Sequence, residues 1–232
     1  MEKRKLEKLG VETSLLGYGC MRFPMTADGK IDEAEAEKLL DTALAAGINY
    51  IDTAWPYHNG ESEPFVGKVL SKYPRDSYYL ATKLPVWLVK SLDEVDTYLE
   101  KQLERLRTDH IDFYLMHSLD KEDWDRMVEM GTVKRLEELK AEGKIRYLGF
   151  SFHDKYEVFE EILNYRDWDF CQIQLNYMDT DIQAGLKGYE LTAKKNIPLV
   201  IMEPVKGGTL ASFSEDLEEE FHKLDRKASV AS

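Results

Sequence analysis

The chain has 232 residues, 43% of them hydrophobic, enough for one packed domain with a sizeable core. Lys and Arg total 31 against 44 Asp and Glu, and the net charge of −13 repels phosphate backbones and argues against a nucleic-acid partner. Met1-Glu2-Lys3-Arg4-Lys5 lacks the apolar stretch of a signal peptide, no run reaches the roughly 18 apolar residues of a membrane span, and two cysteines, Cys20 and Cys171, offer neither a disulfide framework nor a zinc site, so a cytoplasmic protein is expected.

Strand-like and helix-like segments then alternate. Leu6 to Leu16 splits into two short pieces around Gly10 and predicts a hairpin, with the first barrel strand at Leu15–Gly19. Asp32 and Glu35 form a capping box for a helix whose apolar face is Leu39, Leu40, Ala43 and Leu44, ended by Gly47. The second strand is Asn49–Thr53. A polar loop from Tyr57 to Glu61 leads into a helix near Ser62–Ser71, and the third strand is Tyr78–Thr82. Ser91 and Glu94 form another capping box, opening a helix with Val95, Leu99, Leu103 and Leu106 on one side. The fourth strand is Ile111–Met116. Val133, Leu136 and Leu139 mark a helix ended by Gly143, and the fifth strand is Ile145–Phe150. A helix near Lys155–Asn164 precedes the sixth strand, Phe170–Gln174, and one near Gly185–Lys195 precedes the seventh, Pro198–Met202. Glu215–Ser232 reads as a closing helix. The strands are almost continuously apolar, as parallel strands covered on both faces are. The expected fold is α/β, a single (β/α)8 TIM barrel over residues 1–232 with an N-terminal β-hairpin, ending before strand eight.

Four polar residues recur where these strands end: Asp52, Lys83, His117 and Ser151. In a parallel sheet all four share the carboxyl rim, where barrels place their chemistry. Asp52 and Lys83 are charges at the ends of apolar strands and need pairing. They read either as a structural ion pair or as the activators of Tyr57, five residues beyond Asp52. A phenol near pKa 10 is a poor acid, and lowering it by about 3 units takes roughly 4 kcal/mol, which a neighbouring ammonium can supply. His117 could then orient a carbonyl oxygen or relay a proton. His58 and His153 lie in loops and read as solvated, while His110 is at the opposite end of its strand. Gly207-Gly208 is no Rossmann or P-loop fingerprint, but its backbone N–H groups could approach a pyrophosphate. Trp55, Trp87 and Trp124 fall in rim-side loops, as packing or as walls of a pocket for an apolar substrate.

Several motifs occur in order over essentially the whole chain. They are Ile51-Asp52-Thr53-Ala54 with Tyr57 and Asn59-Gly60-Glu61-Ser62-Glu63, then Ala81-Thr82-Lys83, Leu115-Met116-His117, Gly149-Phe150-Ser151, Gln172-Ile173-Gln174-Leu175-Asn176-Tyr177 and Glu203-Pro204-Val205-Lys206-Gly207-Gly208. Together they resemble the aldo-keto reductase superfamily. The resemblance implies hydride transfer between NADPH, or NADH, and a small aldehyde or ketone. It puts the catalytic tetrad on Asp52, Tyr57, Lys83 and His117, and cofactor contacts on Gly19, Met21, Ser151, Gln174, Met202, Pro204, Val205, Gly207 and Gly208. Trp55 and Trp87 take the substrate pocket, and no metal is implied. Phe152 stands where the family often has Asn. Met202 stands where many members stack a tyrosine on the nicotinamide, and a thioether also packs on a ring.

Gly19-Cys20-Met21-Arg22-Phe23-Pro24 and Phe150-Ser151-Phe152-His153-Asp154 are similar to a bacterial subgroup whose longer members append an iron–sulfur domain. Two isolated cysteines cannot hold a four-cysteine cluster. The family continues into an eighth strand and a segment that grips the adenosine 2′-phosphate, and this sequence ends before both, either as a fragment of a longer protein or as a naturally truncated one. Two rivals remain: a metal-dependent hydrolase on Asp52, His58 and His117, which lacks a His-x-His pair at strand one, and a non-enzymatic nucleotide-binding sensor.

Overall fold

The computed structural model describes residues 1–224. Strands β1 (Lys3–Leu6) and β2 (Val11–Ser14) pair antiparallel, Lys3 opposite Ser14 and Leu6 opposite Val11. This is the predicted hairpin, and Gly10 takes the left-handed φ of 67° that its turn requires. The main sheet runs in chain order through β3 (Tyr18–Gly19), β4 (Tyr50–Asp52), β5 (Tyr79–Leu84), β6 (Ile111–Leu119), β7 (Ile145–Phe152), β8 (Phe170–Gln174) and β9 (Leu199–Met202). Every neighbouring pair is parallel.

The connections are helical: α1 (Glu33–Ala45), α2 (Ser62–Leu70), α3 (Leu92–Leu106), α4 (Lys121–Met130), α5 (Thr132–Ala141), α6 (Tyr156–Tyr165) and α7 (Gly185–Lys194), with α8 (Glu215–Leu224) after β9. Sequential parallel strands with helical crossovers are the (β/α)8 plan, here with seven strands among the described residues. The end of the predicted closing helix, residues 225–232, lies outside the described residues. No helix among the described residues is long and apolar enough to cross a membrane.

Side-chain parity organises the interior. Alternate residues of a strand point to opposite faces. Leu80, Leu84, Tyr114, Met116, Leu148, Phe150, Cys171 and Ile173 pack in the layer between sheet and helices. Tyr50, Ala81, Phe113, Leu115 and Phe170 form a separate inner cluster. Phe113 is its hub, with ring centroids 5.1 Å from Tyr50, 5.8 Å from Tyr79 and 5.0 Å from both Tyr147 and Phe170. Leu6, Leu9 and Val11 of the hairpin pack beneath it, and Tyr147 donates its hydroxyl to the Leu9 carbonyl at 3.2 Å. The amino-terminal end of the barrel is therefore plugged by apolar rings. Continuing the same parity upward brings Asp52, Lys83, His117, Ser151, Gln172 and Gln174 inward at the other end.

The structure departs from the sequence reading at several points. The first barrel strand shrinks from Leu15–Gly19 to Tyr18–Gly19, and Leu15 and Leu16 are exposed. Ser14 ends the hairpin there: its N–H donates to Asn49 Oδ1 and its hydroxyl to the Leu16 carbonyl. The third, fourth and fifth strands run further than expected, to Leu84, Leu119 and Phe152. Ser91 occupies the N-cap of α3 without a capping side-chain bond, while Glu94 accepts from the Lys90 N–H at 2.7 Å. Finally, α4 replaces a predicted loop and carries Trp124 into the core, so that indole is not part of a rim loop. Its start is capped by Asp120, accepting from the Asp123 N–H at 2.8 Å, and Gly131 ends it at φ 80°.

Gly67 lets α2 and α3 approach closely: a Cβ there would stand 2.3 Å from the Arg105 carbonyl oxygen and 2.7 Å from Leu106 backbone atoms. On an exposed helix Gly→Ala gains about 1 kcal/mol. Here the backbone clash outweighs that gain, and Gly67→Ala is expected to lower unfolding free energy by about 1–3 kcal/mol in urea melts.

Candidate active site

Parity and strand stagger gather the rim residues. Gly19 is in register with Asp52, and Asp52 with Ala81; Lys83, two residues further along β5, is level with Leu115, and His117 is two residues beyond. Lys83 is buried, at 1% exposure. Its ammonium donates to Asp52 Oδ1 at 2.6 Å and to the Thr53 carbonyl at 2.8 Å, and reaches Tyr57 Oη at 3.4 Å. Three of the four tetrad positions are thus joined by direct contacts. The fourth, His117, faces the Tyr57 ring edge-on at 6.1 Å.

The loop after β4 delivers Tyr57. Three consecutive residues beyond it are left-handed: His58 at φ 52°, Asn59 at 55° and Gly60 at 88°. Only glycine adopts that region freely, so the first two positions hold strain in the backbone beside the phenol. His58, expected to be solvated, is instead an anchor of this loop. Its Nε2 accepts from the Phe23 N–H at 3.1 Å, and its ring lies 5.5 Å from Phe23. That orientation keeps it from joining Asp52 and His117, and among the described residues no cluster of His, Cys, Asp and Glu is disposed to hold a metal ion. His153 is exposed, and His110 stays at the opposite end, beside Asp109 at 2.7 Å.

Charge sets the protonation states. Burial pulls the Lys83 ammonium down, but the Asp52 carboxylate, with the Tyr57 oxygen beside it, outweighs burial and raises its pKa to about 12. Burial pushes the Tyr57 phenol up, Lys83 pulls it down and Asp52 pushes it up again, with a net rise. The expected net lowering by Lys83 is therefore not what this arrangement gives: desolvation wins. His117 is held well below the ordinary histidine range by burial first, then by Lys83 and His153. It is neutral at pH 7.

Gln172 was not singled out in the sequence. It donates Nε2 to the second oxygen of Asp52 at 3.2 Å, across the barrel from β8. The signal for it was parity: it shares the inward face with Phe170 and Gln174.

The other sequence-predicted residues surround this centre. Ser151 is buried, and its Oγ accepts from the Ser118 N–H at 2.7 Å, leaving the hydroxyl proton to donate. Ser118 lies at a register shift in β6 and has φ 57°. Gln174 donates Nε2 to Asp179 at 3.1 Å; the same carboxylate takes Asn176 at 3.0 Å and the Lys206 ammonium at 2.8 Å. Met202 pairs with Gln174 at the end of β9, and Pro204, Val205, Gly207 and Gly208 follow in a turn where Arg22 lies against Gly207. Gly19 and Gly208 front open space, with nothing within 4 Å of an added Cβ, and Met21 is exposed nearby in sequence.

Trp87 stands at the mouth, 5.1 Å from the His117 ring. Helix α4 holds the turn that carries it, through Arg126 donating to the Val86 carbonyl at 2.7 Å. Trp55 lies under the Arg105 guanidinium at 3.6 Å and edge-on to Tyr98 at 4.9 Å, both on α3.

These groups fit a ligand that brings its own hydrogen-bonding edge. His117 Nδ1 is buried without a hydrogen-bond partner, and Ser151 and Gln174 flank the same rim. A dinucleotide lying from the Ser151–Gln174 side toward Gly207-Gly208 would meet an amide oxygen, a hydroxyl and a glycine turn in which the Gly208 N–H is already donated to the Val205 carbonyl at 2.9 Å.

The family model for the aldo/keto reductase family matches residues 15–230. The aldo-keto reductase YhdN of Bacillus subtilis is 35% identical over 161 residues, covering 65% of this chain and 47% of that protein. The NADH-specific methylglyoxal reductase of Escherichia coli is 30% identical over 225 residues, 88% of this chain and 65% of that protein. Among solved structures, the holo form of an aldo-keto reductase from Bacillus halodurans superposes with a TM-score of 0.79 at 28% identity, covering 100% of this chain and 80% of that one. The chain spans about half the length of several curated relatives it matches.

His117 also ties the site to stability. Its folded pKa is depressed, so the unfolded chain takes up a proton near pH 6.5 that the folded chain refuses. The stability it permits is complete above about pH 6.5 and falls as pH drops from there toward the folded pKa, by about 1.4 kcal/mol per pH unit. His117→Gln should remove that share of the slope in urea melts taken between neutral and mildly acidic pH, with the slope from the remaining histidines common to both proteins.

Proposed function

The chain belongs to the aldo/keto reductase family, and from that premise we propose that it reduces an aldehyde or ketone to the alcohol, with Tyr57 as the proton donor. The observation that carries the reading is the contact chain Asp52–Lys83–Tyr57 on one barrel rim, with neutral His117 beside it. When bound, a reduced nicotinamide dinucleotide, NADPH or NADH, supplies the hydride. The residues of this chain position and protonate.

Tyr57 is protonated at neutral pH, because burial keeps its phenol above the ordinary value. It can therefore donate to a carbonyl oxygen as negative charge develops there. The Lys83 ammonium, 3.4 Å from Oη, stabilises the phenolate that this leaves. Asp52 keeps that ammonium charged and in place, and Gln172 fixes the Asp52 carboxylate in turn. His117 orients the carbonyl without competing as an acid, since it carries no charge.

Ser151 and Gln174 are proposed to hold the nicotinamide carboxamide, with the Gln174 amide oxygen facing the ligand because its NH₂ is engaged by Asp179. Met202 is proposed to pack on the ring, and Gly19, Met21, Pro204, Val205, Gly207 and Gly208 to line the remaining path. Trp87 is the proposed wall of the carbonyl pocket. The name of the Escherichia coli relative makes methylglyoxal and NADH natural members of a substrate and cofactor panel, beside NADPH.

Tyr57→Phe removes the acid and keeps the ring. It should lower kcat for carbonyl reduction about 10²- to 10⁴-fold, with dinucleotide binding by fluorescence titration nearly unchanged. A variant that kept more than about a tenth of the activity would exclude Tyr57 from the role.

A further inference from the structure

We propose that Glu63, a carboxylate buried behind the sheet, is a positioning residue that fixes the Lys83 ammonium and the Tyr57 phenol relative to each other. The inference rests on the reading of Tyr57 as the acid tuned by Lys83, and assigns to the far side of the sheet the task of holding that pair in place.

Glu63 lies on α2 and is fully buried. Its Oε1 accepts from the Thr82 hydroxyl at 2.7 Å and from Gln102 Nε2 at 2.6 Å; its Oε2 accepts from Arg105 at 3.2 Å. Gln102 Nε2 also lies 3.0 Å from the Lys83 carbonyl and 3.1 Å from Thr82 Oγ1, and its Oε1 accepts from the Tyr114 hydroxyl at 2.6 Å.

Two arms run from this carboxylate to the proposed acid. The first passes through β5. Thr82 precedes Lys83 and faces outward, so holding its side chain and the Lys83 carbonyl fixes the direction in which the Lys83 side chain projects inward. The second passes through Arg105, whose guanidinium bridges Glu63 and the face of Trp55. Trp55 lies two residues before Tyr57 in the loop that delivers the phenol. One carboxylate thus grips both the strand that carries the ammonium and the loop that carries the acid.

The tolerance is small. Lys83 Nζ and Tyr57 Oη stand 3.4 Å apart, the long end of a hydrogen bond, so a modest shift of either arm removes the contact. A buried carboxylate is costly unless all its partners are in place. That penalty favours one arrangement of Thr82, Gln102 and Arg105 over neighbouring ones.

A merely structural network would change stability and leave the chemistry of Tyr57 alone. The test is alkaline titration of isotope-labelled tyrosine by NMR, with Tyr57 assigned by its loss in Tyr57→Phe and Lys83→Met marking complete loss of the ammonium. Thr82→Val, nearly isosteric, breaks the strand arm, and Arg105→Met, which keeps the aliphatic stem and removes the guanidinium, breaks the loop arm. Gln102→Met and Glu63→Gln serve as second variants should either fail to fold. Each folded variant should raise the Tyr57 pKa toward its value in Lys83→Met, by on the order of half a unit to one unit, and lower kcat at neutral pH about three- to tenfold with KM little changed. Adding Thr82→Val to Lys83→Met should shift Tyr57 no further. Folded variants that melt earlier yet titrate as the unmodified protein does would overturn the inference while leaving the Tyr57–Lys83 reading intact. An unmoved Tyr57 in Lys83→Met would overturn both.

Discussion

A charged ammonium inside a barrel is the constraint on which the rest of this structure turns. Lys83 is as buried as the surrounding core, and such a charge is tolerated only when paired and hydrogen-bonded. Asp52 and the Thr53 carbonyl meet that need, and both come from β4 and the residue after it, the neighbour of β5. The Asp52 carboxylate then needs a donor for its second oxygen, and Gln172 supplies it from β8. Satisfying one cation therefore ties together strands that are far apart in sequence, and holds the rim polar where the opposite end is filled by Phe113 and its aromatic neighbours.

The same cation governs its neighbours' proton affinities. It pulls Tyr57 down while burial pushes the phenol up, and burial prevails, so the group is a proton carrier at neutral pH with a cation poised beside its oxygen. It helps keep His117 neutral, which prevents a second positive charge in the same small volume. The site thus contains one ion pair and two neutral hydrogen-bonding groups. Around it, Asp179 and Ser118 orient Gln174 and Ser151, so their ligand-facing atoms are set before anything binds. Lys206 joins the loop after β9 to the loop after β8 through Asp179, next to the glycine turn.

Two features of the outer layer bear on the rim without belonging to it. Helix α4 holds the Trp87 turn through Arg126, and Arg105 holds Trp55 on α3. Both tryptophans looked equivalent in sequence, each in a loop after a barrel strand. They differ in what the neighbouring helix's cation holds, the ring itself for Trp55 and the backbone carbonyl before the ring for Trp87, a property of packing between elements rather than of either loop.

The order of elements, the parallel sheet and the polar set at the strand ends were legible in the amino-acid sequence, because apolar runs, caps and two-residue parity are local. Parity alone assigns Asp52, Lys83, His117, Ser151 and Gln174 to one face, and would have assigned Gln172 had it been applied throughout β8. Helix α4 had a signal too, the i, i+3, i+4 spacing of Trp124, Met127 and Val128 between the Asp120 cap and Gly131, but charges fill the rest of the segment and hid it among loop residues. The short first strand was set by Ser14 meeting Asn49, a contact between segments that the chain brings together only on folding. Tertiary structure also decided which rim groups touch: the stagger between strands sets the height of Lys83 above Asp52, and a loop with left-handed His58 and Asn59 returns Tyr57 to it. Sequence periodicity determines the side on which a residue stands. Distances across a barrel depend on register, loop path and desolvation, which exist only once the sheet has curled.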